Sequence, residues 1–85
     1  MAATKVATHL TETNGFEIHR LSARELQVFE LLGLGNSTQQ ISELLHIDVS
    51  TVETYRSRIK EKLDLSSGPE LLQTAIRWSL NKAAH

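Results

Sequence analysis

The chain has no cysteine. That excludes disulfides, thiol nucleophiles and cysteine-bound zinc, and it agrees with a reducing cytosol. It has no apolar run approaching the roughly 18 residues that span a bilayer. The N-terminal stretch MAATKVATHLTETNG carries neither a long apolar segment nor a cleavage pattern, so no secretory signal is read there. The expectation is a cytoplasmic location. No repeat with a period of 20–50 residues is present. The excess of charge is also small, with a formal net charge of -1. A uniformly basic nucleic-acid binder is thereby excluded, though a single basic face is not. At 85 residues there is little room for a deep catalytic cleft.

What is present suits one small globular domain. Hydrophobic residues make up 40%, enough for a modest core, and charged residues 22%, too few for wholesale disorder. Residues 1–19 are small, polar and aperiodic, and they read as a flexible lead or linker remnant, with Phe16 and Ile18 able to tuck against the domain edge. The domain is expected over 20–82, followed by a short tail at 83–85.

Helical punctuation begins at Ser22, which Glu25 follows three residues later as in a capping box. Leu21 and Leu26 stand where a hydrophobic staple belongs. Val28, Phe29, Leu31 and Leu32 then recur at helical spacing, and Gly33 and Gly35 end a first helix at about 23–33. Asn36 or Ser37 caps a short second helix at about 38–46, with Ile41, Leu44 and Leu45 as its apolar stripe. Ile47 is expected to plug the core from the turn. Ser50 and Glu53 fit another capping box, opening a third helix at about 50–64. After Ser66-Ser67-Gly68-Pro69-Glu70, a fourth helix at about 69–82 carries Leu71, Leu72, Ala75, Ile76 and Leu80. No strand is convincing. The fold class is all-α, a bundle of four helices with the second and third joined by a tight turn.

The third helix is the informative one. At about 100° per residue, Ile59 and Leu63 fall within about 20° of Val52, so that side is core. Glu53, Thr54, Ser57, Arg58 and Glu61 gather opposite, with Arg56 and Lys60 on one flank and Lys62 on the other. Residues 50–63 carry a surplus of two positive charges, whereas residues 22–48 carry a surplus of three negative ones. An acidic body thus bears a basic helix. Small polar groups on top with cations along the edges suit a helix lying in a DNA major groove. The same amphipathic surface would also serve a helical adaptor docking an acidic protein. A short helix and tight turn leading into it form the helix-turn-helix arrangement, in which the earlier helix braces the backbone.

Three runs carry a resemblance: Leu21-Ser22-Ala23-Arg24-Glu25-Leu26-Gln27-Val28-Phe29, Gly35-Asn36-Ser37-Thr38-Gln39-Gln40-Ile41-Ser42-Glu43-Leu44-Leu45, and Ser50-Thr51-Val52-Glu53-Thr54-Tyr55-Arg56-Ser57-Arg58-Ile59, closing with Lys62-Leu63. In this order the chain resembles the LuxR-type helix-turn-helix domain of the NarL/FixJ response-regulator branch, over about residues 20–80. The resemblance implies a four-helix DNA-binding output domain of a bacterial transcription regulator. It places Glu53, Thr54 and Ser57 at bases, and Ser37, Thr38, Gln39, Thr51, Tyr55, Arg56, Arg58, Lys60 and Lys62 at or beside phosphates. It implies a homodimer through the fourth helix, using Leu71, Leu72, Ala75, Ile76 and Trp78. Among the departures from the common pattern are Glu53 where lysine is frequent and Tyr55 where histidine is. Glu53 can accept from a cytosine amino group or serve the Ser50 capping box, but one carboxylate cannot do both at once. Ser42 stands where alanine is usual and is able to bond back to its own helix.

No enzyme is expected. His9, His19, His46 and His85 lack metal-ligand spacing, and no metal, cofactor or small-molecule ligand is implied. Ser50, His46 and Asp48 are close in sequence but have no cleft in which to form a triad. Gly33-Leu34-Gly35 follows a helix, not a strand, so it is no phosphate loop. Trp78 suits either a core edge or an interface.

Overall fold

The computed structural model describes residues 17–83. The expected lead before Glu17, including Phe16, and the final residues 84–85 lie outside the described residues. A single 3₁₀ turn, Ile18–Arg20, precedes four helices: α1 Ala23–Gly33, α2 Thr38–Leu45, α3 Val49–Lys62 and α4 Gly68–Ala83. No strand occurs among the described residues.

Local chemistry explains the starts. Ser22 Oγ accepts from the Glu25 N–H at 3.2 Å, and the Glu25 carboxylate accepts from the Ser22 N–H at 2.8 Å. This is the expected capping box. At α2 the cap is Ser37, not Asn36. Gln40 completes a second box with distances of 3.1 and 2.8 Å. Asn36 instead donates its side-chain amide to the Leu31 carbonyl at 3.0 Å.

The box expected at Ser50 does not form. The N-cap is Asp48, in extended backbone, and Ser50 already lies inside α3. The turn after α2 spends its residues early, so the first helical bond runs from the Val52 N–H to the Asp48 carbonyl, at 3.1 Å. Glu53 is thereby released from capping. At α4, Ser67 Oγ accepts from the Glu70 N–H at 3.2 Å, while the Glu70 carboxylate turns to the N–H and hydroxyl of Ser66.

The ends of α1, α2 and α3 share one device. A residue in left-handed backbone follows each: Gly35 at φ 96°, His46 at φ 58° and Asp64 at φ 61°. The next N–H then reaches back five residues, from Asn36 to Leu31, Ile47 to Ser42 and Leu65 to Lys60. These are Schellman closures. Asp64 accordingly stops α3 at Lys62, two residues before the expected limit. Gly33 plays a different part from the terminator expected of it. A Cβ there would collide with the Ala75 carbonyl and stand 3.1 Å from Ser79 Cβ. Its bare Cα lets α1 and α4 touch.

The core comprises Val28, Phe29 and Leu32 of α1, Ile41 of α2, Val52 and Ile59 of α3, and Leu71 and Ala75 of α4. Burying each large side chain is worth about 1.5–3 kcal/mol. Helix α1 packs against both α3 and α4, and α2 packs chiefly on α3. Ile18, Leu21, Leu26, Ile47, Tyr55 and Leu63 seal the margin. Leu44, expected in the α2 stripe, is instead 55% exposed, because α2 meets the core through Ile41 and Ser42. Ser42 is buried and donates to its own helix at the Gln39 carbonyl, 2.9 Å away, as its size and chemistry suggest.

One buried charge ties the fold together. Glu25 is only 3% exposed, and its Oε1 accepts from Lys62 Nζ at 2.7 Å. Burial pushes the Glu25 carboxyl up. Hydrogen bonds from Lys62 and the Ser22 N–H, with the Lys62 charge, outweigh burial and hold it below the ordinary value.

Two outcomes follow from this packing. Gly33→Ala should destabilise the domain by about 1–3 kcal/mol, read as a lower urea midpoint, because backbone must move to admit one methyl. Lys62→Met should cost about 1–3 kcal/mol by leaving a buried carboxylate short of a partner. The depressed Glu25 carboxyl gives the wild type a contribution complete above its unfolded value near 4.5 and lost as the pH falls through the folded pKa. Urea midpoints measured from pH 7 down to pH 3 should therefore converge for the two proteins.

Candidate nucleic-acid interface

Helix α3 presents the face expected of it. Val52 and Ile59 are fully buried, while Glu53, Thr54, Ser57, Arg58 and Glu61 are exposed. Thr51, Tyr55, Arg56, Lys60 and Lys62 are half-buried along its flanks. The exposed residues lie on the side away from the core because Val52 and Ile59, seven apart, are the α3 residues that the core takes in.

The cations on this helix divide into two kinds. Arg58 and Lys60 have no ion pair among the described residues. Lys62, expected at a phosphate, is paired with Glu25, and 40% of its side chain remains exposed. Arg56 Nη1 donates to Thr38 Oγ1 at 3.0 Å, which fastens the middle of α3 to the first residue of α2. An open groove there is lined by Asn36, Ser37, Thr38, Arg56, Gly68 and Pro69 together with the apolar Leu32 and Leu72. The first turns of α2 and α4 both border it, and with them one guanidinium. That places the N–H-rich end of α2 beside the basic flank of α3. Gln39, also expected at a phosphate, uses its side-chain amide on Glu43 at 3.2 Å.

Among the outward residues, Thr54 Oγ1 donates to the Ser50 carbonyl at 3.1 Å. The Glu53 side chain makes no hydrogen bond or ion pair within the described residues. Tyr55 packs its ring against the core margin.

The set expected at a dimer contact is split by burial. Leu71 and Ala75 are fully buried inside the domain and are unavailable to a partner. Their place on α4 faces α1. Trp78 packs on Phe29 with ring centroids 5.4 Å apart and tilted by 51°, and Lys82 Nζ lies 4.8 Å above its ring. Trp78 is thus a core edge. Leu72 at 41%, Ile76 at 37% and Leu80 at 66% remain exposed, four residues apart along one side of α4. Leu80 joins this exposed side although its spacing alone places it only within the helix.

Among the described residues no group of three or more His, Asp or Glu could hold a metal ion. No described helix is long and apolar enough to cross a membrane.

Comparison with known proteins agrees with this geometry. Residues 19–75 match the family described as bacterial regulatory proteins, luxR family. The oxygen regulatory protein NreC of Staphylococcus haemolyticus is 42% identical over 60 residues, covering 71% of this chain and 28% of that protein. NreC of Staphylococcus carnosus is 40% identical over 60 residues, with the same coverage. The uncharacterized response regulatory protein YgeK of Escherichia coli K12 is 37% identical over 62 residues, covering 73% of this chain and 42% of its own length. The chain therefore spans less than half the length of these relatives. No solved structure matches it. With the matched region running from the 3₁₀ turn into α4 and the helix-turn-helix pair at its centre, the chain belongs to the luxR family of bacterial regulatory proteins, as a DNA-binding domain.

Proposed function

We propose that this domain reads operator DNA by laying α3 in the major groove, with Glu53, Thr54 and Ser57 at base edges. Arg58, Lys60, Thr51 and Tyr55 flank that edge and meet phosphates. Ser37 and Thr38, at the first turn of α2, receive a further phosphate beside Arg56, where the backbone N–H groups favour an anion. Gln39 reaches the same strand on release from Glu43. The observation that carries this reading is the continuous surface from the α2 N-terminus to Arg58. Arg56 and Thr38 join its two halves at 3.0 Å, and its opposite side is fully buried.

The domain is further proposed to act in the cytoplasm as the output end of a longer transcription regulator, as a binding module and not as an enzyme. The names of the similar proteins, an oxygen regulatory protein and a response regulatory protein, support a regulator whose signal arrives through another domain. On DNA it pairs as a homodimer through Leu72, Ile76 and Leu80 of α4, with half-sites about 10–10.5 bp apart or a multiple of that.

Arg58→Ala should weaken binding to every duplex and reduce the slope of log K against log salt by about 0.9, as one lost phosphate contact requires. A mobility-shift titration at several salt concentrations reads both. Ile76→Lys should leave binding to a single half-site intact and abolish cooperative binding to two. The same assay, on duplexes selected from random sequence, distinguishes these outcomes.

A further inference from the structure

The hydroxyl of Thr54 is already engaged. Its hydrogen goes to the Ser50 carbonyl, one turn back on the same helix, at 3.1 Å. This is the usual internal bond of a threonine within a helix, and it fixes the side-chain rotamer. The residue is nevertheless exposed, in the centre of the outward face of α3. What remains for an approaching surface is the γ-methyl group and an oxygen that can only accept. Glu53, next to it, is an acceptor alone and is free of the capping role that would have occupied it. The middle of this face therefore offers a methyl group and acceptors, with no free donor until Ser57.

Major-groove edges are not equivalent toward such a surface. Thymine alone among the four bases presents a C5-methyl group, and cytosine and adenine present amino donors. We propose that Thr54 is a specificity-determining residue that reads a thymine C5-methyl by van der Waals contact and not through its hydroxyl. Glu53 beside it selects an amino-bearing base. This rests on the reading that α3 occupies the major groove. It adds which atoms of Thr54 discriminate and what they discriminate.

The experiment uses the full chain and a duplex selected by it from random DNA. Each thymine of the half-site is replaced in turn by deoxyuridine, which deletes only the methyl group. Affinities are measured for the wild type, Thr54→Val, Thr54→Ser and Arg58→Ala. Burying one methyl group corresponds to about a three- to fivefold change in affinity. One deoxyuridine position should weaken wild-type binding by that factor. Thr54→Val should keep both affinity and sensitivity at that position, and Thr54→Ser should lose both, since it keeps the hydroxyl and lacks the methyl. The deoxyuridine scan alters no protein residue, so it stands even if a variant folds poorly.

The reverse pattern, Ser retaining and Val losing discrimination, would overturn the inference in favour of the hydroxyl. No sensitive thymine and no effect of either Thr54 variant, with Arg58→Ala still weakening every duplex, would overturn it while leaving α3 in the groove. If Arg58→Ala also left the salt slope unchanged, the groove reading itself would fall with it.

Discussion

The outward face of the helix-turn-helix pair depends on how α3 is seated. Its own apolar contribution is thin: Val52 and Ile59 are its only fully buried residues. Two polar ties supplement that contact. Lys62 reaches the buried Glu25 near the C-terminal end, and Arg56 reaches Thr38 near the middle. The first is the stronger constraint, since Glu25 is almost fully buried and would be costly to leave unpaired. The second joins two surfaces that a phosphate backbone would have to meet together. A helix held at three points cannot roll, so its outward residues keep a fixed bearing, as contact with base edges requires.

The same ties redistribute the charges. Four cations on α3 suggest four grips on phosphate, yet two are engaged within the molecule. Arg58 and Lys60 carry the outward charge, and Arg56 acts where α2 begins. A domain with a net charge near zero can still present a local basic edge, because Lys62 and Glu25 cancel each other at the base of the helix and Lys82 pairs with Glu30 on the far side. Salt bridges here sort charge between surfaces as much as they stabilise.

The turns have a cost that the sequence conceals. Gly35 takes left-handed backbone freely, but His46 and Asp64 do so against a penalty of about 1–2 kcal/mol each. Neither residue announces a helix end as glycine does, so α3 stops at Lys62, two residues short of the limit its spacing predicts. The closing N–H bonds from Ile47 and Leu65 repay part of the strain by satisfying carbonyls that the helix ends would leave bare.

Spacing along the chain was enough for the helices, for the Ser22 and Ser37 caps, and for the apolar side of α3, because those depend on bonds within four residues and on the 3.6-residue turn. It also sufficed for the family resemblance, whose motifs are local runs. Periodicity could not decide between neighbours on one amphipathic stripe. Leu71 and Ala75 are sealed against α1 while Leu72, Ile76 and Leu80 face outward, and that division is set by the close approach at Gly33, which only a second helix can impose. Nor could a capping-box glutamate disclose that it also binds a lysine 37 residues away, or Arg56 that its partner is Thr38. Those pairings arise when separate helices are brought together, so they belong to the packed molecule, and they leave Arg58 and Lys60 as the α3 cations without an ion pair among the described residues.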